Sequence, residues 1–254
     1  MSFSRDFRSS PFATGAQSAT VDAGLRAYML RVYNWMASGL LLTALVAYLI
    51  AEIPSVRSLF FHVQGYQVAP TGLGWLAMIA PLGFVMVMSF GVNRLSRSAV
   101  QGLFWLFCAV MGASLSSILL MYTGVSVARV FLVTAATFGA TSLWAYTTGA
   151  NLIRFQSFLM MGLIGLLIAG LVNMFLGSPA IYFIYSVVGV FLFIGLTAFD
   201  TQRIKVTYPQ FAYYEGPEGA AKRSVYDALN LYLNFINLFQ FMLQFMGTRN
   251  SNSE

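Results

Sequence analysis

Charged residues are scarce in this chain. Of its 254 residues only 9% are Asp, Glu, Lys or Arg, whereas 58% are hydrophobic and the mean hydropathy is +0.73. Soluble globular domains carry roughly 25% charged residues. Folding alone cannot hide so much apolar surface from water, and the composition predicts an integral membrane protein. The net charge of +6 then indicates positive residues that flank membrane spans rather than nucleic-acid binding.

Cysteine, histidine and lysine are nearly absent. The single cysteine, Cys108, excludes an intrachain disulfide and a cysteine-based metal cluster, and we expect it to pack inside a span. The single histidine, His62, lies in a loop, and no G-x-S-x-G motif accompanies it, which disfavours a Ser-His hydrolase. A retinal-binding rhodopsin needs a lysine in its last span. Both lysines of this chain, Lys205 and Lys222, lie in a loop, which disfavours that class of protein. We predict no enzyme activity and no bound cofactor.

Charge-free windows of membrane-spanning length recur along the chain. A bilayer core of about 30 Å needs roughly 20 apolar residues in a helix. Such windows occur at residues 32–51, 75–92, 99–122, 130–148, 155–176, 181–199 and 228–246. They predict an all-α integral membrane fold with seven transmembrane helices. We expect a polar, disordered tail at residues 1–30, the transmembrane domain at 31–247 and a short polar tail at 248–254.

The positive residues are distributed unevenly between the two sides of these spans. Most Lys and Arg residues lie on the side of the N-terminus. The positive-inside rule therefore predicts a cytoplasmic N-terminus, with the loop at 201–227 inside and the loop at 52–74 outside. A last segment that dips into the bilayer and returns would satisfy the rule equally well. The excess of arginine over lysine is typical of a GC-rich bacterial genome, and we expect the bacterial inner membrane.

The last predicted span carries a polar stripe. It is formed by Asn230, Asn234, Asn237, Gln240 and Gln244. At about 100° per residue the five amides fall within an arc of about 120°, and Asp227 extends it. Amides that face hydrocarbon cost several kcal/mol each, so the stripe must face other helices or a watery cavity. The residues leave open whether it forms a hydrated path or only hydrogen bonds between helices.

Asp200 is the first charged residue after the fifth and sixth predicted spans. It lies at the cytoplasmic end of the sixth span, at the level of Arg94, Arg97 and the start of the polar stripe. A carboxylate at the C-terminal end of a helix opposes the helix dipole, so we expect it to have a dedicated partner. Arg203 and Lys205 are expected to reach lipid headgroups instead.

Two motifs carry a resemblance to a known family. AFDTQRIK at residues 198–205 and ALNLYLNFINLFQFMLQFMG at residues 228–247 resemble the Bax inhibitor-1 family of multi-spanning membrane proteins. The similarity covers the span layout of residues 30–247. It implies seven helices, with the last helix central and wrapped by the other six. It also implies a pH-sensitive leak of calcium across the membrane and a role in suppressing cell death or stress.

The resemblance also assigns roles to individual residues. In the family, the acid of the FDTQ motif pairs with an acid on the last helix and exchanges with an arginine on the second helix. These positions fall at Asp200, at Asn234 and at Arg94 or Arg97, and Asp200 is the candidate calcium ligand. Two carboxylates that share a site retain a proton near neutral pH, which an amide at position 234 cannot do. We therefore expect a gate with a weak pH response and weak calcium binding.

Three functions remain open from the sequence. The first is a calcium or cation leak channel gated at its cytoplasmic end by Asp200 and an arginine. The second is a non-conducting membrane regulator that binds another membrane protein, such as a quality-control protease or a stress factor. The third is a transporter for a small solute. The lipid bilayer is the expected partner in all three.

Overall fold

Helices make up nearly all of the protein. The computed structural model describes residues 11–64, 67–91 and 95–250. The helices are α1 (Pro11–Glu52), α2 (Pro54–Phe60), α3 (Gly72–Gly91), α4 (Arg97–Met121), α5 (Gly124–Thr147), α6 (Gln156–Leu176) and α7 (Pro179–Met246). A 3-10 turn at Ile153–Phe155 precedes α6, and the strands β1 (Phe61–Gln64) and β2 (Gln67–Pro70) form an antiparallel hairpin.

In the described part of the chain, six helical segments are long and apolar enough to cross a membrane. They are Asp22–Glu52, Gly72–Phe90, Arg97–Met121, Gly124–Thr147, Ile153–Leu176 and Pro179–Phe211. Their outer faces carry large apolar side chains, such as Phe90 and Phe175, which are 80% and 83% exposed. Such surfaces are suited to contact with lipid tails, and the predicted all-α membrane fold is confirmed. The seventh predicted span, residues 228–246, is not among the six.

Two stretches that were expected to be irregular are helical. The predicted disordered tail overlaps α1, which covers residues 11–30 and buries Tyr28 in the core. The predicted loop at residues 201–227 belongs to α7. Polar composition suggested loops at both places, but each stretch also holds buried apolar side chains, such as Leu25 and Ile204, whose packing supports helix. Residues 1–10 and 251–254, which complete the two predicted tails, lie outside the described residues.

The predicted loop at residues 52–74 contains ordered elements. It holds α2 and the β-hairpin, and Phe61 of the hairpin is buried in a cluster with Ile50 and Ala77. The hairpin therefore packs onto the adjoining ends of α1 and α3. His62 follows Phe61 and is exposed.

α7 folds back on itself at Gly216. This residue has φ 64° and ψ −170°, a backbone conformation that is essentially restricted to glycine. Pro217 follows and cannot donate the backbone hydrogen bond that would continue the preceding helix. The two residues thus convert one long helix into a helical hairpin. We call its arms α7a, residues 179–215, and α7b, residues 217–246.

The two arms of α7 pack antiparallel. Contacts between them join Ser186 with Gln244, Phe193 with Phe241, and Asp200 with Asn234. The pairs move toward lower numbers on α7b as they move toward higher numbers on α7a. α7b therefore returns along the length of the apolar segment Pro179–Phe211.

α7b is enclosed by protein along most of its length. No residue between 228 and 243 is exposed, and Leu231, Tyr232 and Leu238 are fully buried. Hydrogen bonds and ring contacts also join it to α1, α4 and α5: Thr43 with Tyr232, Phe107 with Tyr232, Phe138 with Phe235, and Thr134 with Met242. α6 packs against α7, and α3 packs against α4. α7b, the helix that carries the amides, is therefore in contact with α1, α4, α5 and α7a.

α1 and α4 approach each other closely where α4 carries Gly112. A Cβ atom on Gly112 would lie 2.6 Å from the carbonyl oxygen of Thr43 on α1. The Thr43 hydroxyl donates to the carbonyl oxygen of Cys108 at 2.9 Å and accepts from the Tyr232 hydroxyl at 2.7 Å. Cys108 is fully buried, as predicted for a packing residue. Small residues on α4 therefore allow α1, α4 and α7b to share one hydrogen-bonded contact.

Gly112→Ala should destabilise the protein by about 1–3 kcal/mol, because the added methyl group clashes with the backbone of α1. Thermal unfolding in detergent measures the change. Gly102→Ala is the matched control on the same helix, since a Cβ there meets nothing within 4 Å. We expect the control to be neutral or up to about 1 kcal/mol more stable, because alanine favours helix over glycine. Equal melting temperatures for the two variants would contradict the close α1–α4 approach.

Candidate functional site

The polar side chains of the AFDTQRIK motif each contact another part of the structure. Asp200 accepts a hydrogen bond from Asn234, and Lys205 donates to the carbonyl oxygen of Tyr146 at 2.6 Å. Gln202 donates to the carbonyl oxygen of Ala150 at 2.6 Å, in the link between α5 and α6. The motif therefore fixes one end of α7a to α5, to the α5–α6 link and to α7b.

Both carboxylate oxygens of Asp200 are engaged. Its Oδ1 lies 2.9 Å from Nη1 of Arg203, one turn further along α7a. Its Oδ2 accepts a hydrogen bond of 2.7 Å from Nδ2 of Asn234 on α7b. Asp200 and Asn234 are only 7% and 6% exposed. The hydrogen bond between the two residues therefore lies inside the protein, where water competes little for either partner.

Arg203 extends this contact to a second carboxylate. Its Nη2 lies 3.8 Å from Oδ1 of Asp227 on α7b, and Asp227 is 8% exposed. The other oxygen of Asp227 accepts a hydrogen bond of 2.7 Å from the hydroxyl of Tyr28 on α1. Together, Tyr28, Asp200, Arg203, Asp227 and Asn234 form a single group, which we call the Asp200 cluster. It connects α1, α7a and α7b.

The Asp200 cluster balances two negative side chains against the positive charge of Arg203. Two buried carboxylates flank one guanidinium, and the side chain of Arg203 is 35% exposed while those of Asp200 and Asp227 are 10% and 11% exposed. Arg223, on α7b and stacked over the Phe211 ring, also interacts electrostatically with Asp227. A buried carboxylate is tolerated only when it is paired and hydrogen-bonded. Protonation of either carboxylate would weaken the hold of the cluster on Arg203.

The structure brings together some of the predicted gate residues. Asp200 and Asn234 are in direct contact, at the spacing that the motifs suggested. Arg97 is exposed and lines a pocket that does not include Asp200, and Arg94 lies outside the described residues. Arg203, which was expected to reach lipid headgroups, is the arginine that pairs with Asp200. Its position three residues after Asp200 on a helix was the signal in the sequence for this pair.

Asp227 was not predicted as a site residue. It was noted only because it extends the polar stripe of the last helix. Its pairing with Arg203 depends on the fold of α7 at Gly216, which brings position 227 back beside position 203. Local sequence spacing does not encode such a contact.

Two amides of the polar stripe form hydrogen bonds with α7a. Asn234 donates to Asp200, and Gln244 accepts a hydrogen bond of 3.3 Å from the Ser186 hydroxyl. The side chain of Asn237 donates to the carbonyl oxygen of Leu233 on its own helix at 2.8 Å. Asn230 and Gln240 are half-buried. The two interhelical bonds join the arms of α7, so the part of the stripe that carries Asn234 and Gln244 contacts α7a.

Metal-ligating residues do not converge in the part of the chain that the structure describes. No three His, Cys, Asp or Glu side chains come close enough together there to hold an ion. The candidate calcium ligand, Asp200, is instead engaged by Arg203 and Asn234. Asp200 is therefore ion-paired and hydrogen-bonded within the chain.

The fold and the site define this chain as an all-α integral membrane protein with a buried acid–arginine cluster among its helices. The profile of the family described as Inhibitor of apoptosis-promoting Bax1 matches residues 25–251. This chain belongs to the Bax inhibitor-1 family, as its motifs indicated.

Three bacterial proteins are similar to this chain over most of its length. The chain is 47% identical to an uncharacterized protein of Caulobacter vibrioides, over 90% of this chain and 91% of that protein. It is 43% identical to the inner membrane protein YbhL of Escherichia coli K12, over 89% and 94% of the two chains. It is also 43% identical to protein RP147 of Rickettsia prowazekii, over 93% and 95%. These relatives match along nearly their whole length.

Arg203→Met should destabilise the protein by about 3 kcal/mol, because it leaves two buried carboxylates without their shared cation. Chemical or thermal unfolding in detergent measures the loss. Arg154→Met, at an exposed arginine, is the control and should stay within about 0.5 kcal/mol of wild type. Adding Asp200→Asn to Arg203→Met should recover part of the loss. A loss that the second substitution leaves unchanged would show that Arg203 acts through packing alone.

Proposed function

We propose that this protein is a cation leak channel, with calcium as its cargo, and that the Asp200 cluster is its gate. The observation that carries the proposal is the buried ion pair between Arg203 and Asp200, with Asp227 on the other side of the same guanidinium. Ionisable residues inside a membrane protein are costly and usually mark an ion or proton pathway. Membership of the Bax inhibitor-1 family supports the same function.

The proposed topology has seven spans. In it α7b is the central seventh helix, wrapped by the other six, and its burial from residue 228 to 243 supports that position. Its antiparallel return along α7a supports a full crossing, since α7a contains a spanning segment. The N-terminus lies in the cytoplasm, which places the Asp200 cluster at the cytoplasmic end of the spans. The membrane is the bacterial inner membrane, as the name of the relative YbhL supports.

The gate works through the release of Arg203. With both carboxylates charged, the guanidinium holds α7a and α7b together, and Tyr28 adds α1 through its bond to Asp227. Protonation of Asp200 or Asp227 removes one of the two negative partners. Arg203, already a third exposed, then moves toward water, and the interface between the arms loosens. The amides Asn230 and Gln240 of the polar stripe are half-buried, and they offer oxygen atoms to a hydrated cation that enters beside α7b.

Asp227 changes the pH response that the sequence suggested. An asparagine at position 234 removed the second acid of the family pattern, so we expected little dependence on pH. Asp227, at a different position on α7b, supplies a second carboxylate to the guanidinium of Arg203. We therefore expect the calcium flux of the wild-type protein to rise as the pH falls.

Asp200→Asn and Asp227→Asn each imitate a protonated cluster and should raise calcium flux at neutral pH while flattening its pH dependence. The rise should be about tenfold if each substitution removes about 1.4 kcal/mol of closing interaction. Fluorescence of an indicator inside proteoliposomes, across a pH series, measures the flux. Glu52→Gln is the matched control, because Glu52 is an exposed acid at the far end of α1, and it should behave as wild type.

Two outcomes contradict the channel. A steep pH response that survives both Asp200→Asn and Asp227→Asn removes the cluster from the gate. No flux in wild type at any pH, from protein that is folded in the liposomes, favours the alternative of a membrane regulator. That alternative binds a quality-control protease or a stress factor, and cross-linking in native membranes would identify such a partner.

Cysteine labelling in intact cells should distinguish the two faces of the membrane. Tyr214→Cys, near the fold of α7, should resist an impermeant maleimide, whereas His62→Cys in β1 should react. Tyr214 is 82% exposed and His62 is exposed, while the native Cys108 is fully buried and adds little background. Labelling of Tyr214→Cys alone from outside would invert the proposed topology.

A further inference from the structure

A polar pocket lies beside the Asp200 cluster, between α1, the start of α4 and the fold of α7. Its volume is about 450 Å³. Arg31 of α1 and Arg97 of α4 line it, together with Tyr28, Tyr208 and Gly216. The pocket is at the end of the bundle where α4 begins and where α7a turns into α7b. Of these lining residues, Tyr28 alone takes part in the proposed gate.

Two arginines place positive charge in the pocket. Arg31 and Arg97 are both exposed, and neither forms an ion pair with any residue that the structure describes. No Asp or Glu is among the described residues that line the pocket. Two cations that face one polar space repel each other and raise the local concentration of anions. An anionic ligand would relieve this repulsion.

Further hydrogen-bond donors face the same space. Gly24 lets the Tyr208 hydroxyl come close to α1, since a Cβ there would lie 2.5 Å from that oxygen. The Tyr208 hydroxyl forms no hydrogen bond with the described part of the chain. It therefore remains available as a donor. α4 also begins at Arg97, so its positive dipole end points toward the pocket.

We propose that this pocket binds a phosphate group, held by Arg31 and Arg97 with the Tyr208 hydroxyl as a third donor. Arginine suits this ligand because its planar guanidinium forms paired hydrogen bonds with phosphate oxygens. The phosphate belongs either to the headgroup of an anionic lipid or to a free anion in solution. Arg97 lines this pocket and is not among the partners of Asp200.

The pocket also adjoins the gate. Tyr28 lines the pocket and donates its hydroxyl hydrogen to Asp227. A bound phosphate therefore lies one side chain away from the Asp200 cluster. Phosphate binding itself does not depend on whether the protein conducts ions, so the site can be tested separately from the channel.

The test uses the full-length protein and two probes. Native mass spectrometry measures retention of phosphatidylglycerol relative to phosphatidylcholine. Thermal unfolding in detergent measures protection by inorganic phosphate relative to chloride at equal ionic strength. The variant carries Arg31→Gln and Arg97→Gln. Arg129→Gln is the control, because Arg129 is exposed near the start of α5, at the opposite end of the helices.

We expect the double variant to bind its probe more weakly by about tenfold for each arginine, the effect of losing one charge-assisted hydrogen bond. Loss of phosphatidylglycerol retention supports a lipid headgroup as the ligand. Loss of protection by inorganic phosphate alone supports a free anion. Each result requires that Arg129→Gln binds as wild type and that the ligand-free melting temperatures agree. If neither probe distinguishes the double variant from Arg129→Gln, the phosphate site is refuted.

Discussion

The guanidinium of Arg203, held between the carboxylates of Asp200 and Asp227, is the contact on which the arrangement of the last two helical arms depends. Both carboxylates are nearly buried, and a buried charge without a partner costs several kcal/mol. The arms of α7 must therefore meet in the register that places Asp227 beside Arg203. Gly216 permits the sharp fold of the backbone, and Tyr28 extends the same constraint to α1.

The environment of α7b follows from this constraint. A helix with five amides along one face is poorly suited to lipid, but between other helices it forms hydrogen bonds without exposing those amides to hydrocarbon. α7a receives that face through Asp200 and Ser186, and the apolar face packs on α4 and α5. The interaction that joins the arms also contains two ionisable side chains, Asp200 and Asp227. The same residues thus serve stability and, in the proposed channel, gating.

Local patterns predicted what depends on local chemistry. The predicted spans at residues 155–176 and 181–199 leave a break between them, and the structure has it: α6 ends at Leu176 and α7 begins at Pro179, where proline favours a helix start. The contact of Asp200 with Asn234 agrees with the pairing that the family motifs imply. The stretch at residues 201–227 was predicted wrongly as a loop. Its charged residues read as solvent-exposed, whereas Arg203 and Asp227 pair with partners in the folded chain.

The amino-acid sequence by itself determined that the protein resides in a membrane, and it also determined the first six spans, the amide face and the family. Hydropathy, helical periodicity and motifs are properties of neighbouring residues. Only the tertiary structure decided which charges meet. From the sequence, Asp200 could pair with any arginine at its membrane level. In the structure the backbone fold at Gly216 places Asp227 beside Arg203, while Arg97 and Arg31 line a neighbouring pocket. Electrostatic energy depends on distances of a few ångströms and on burial. Those distances exist only once the helices have packed.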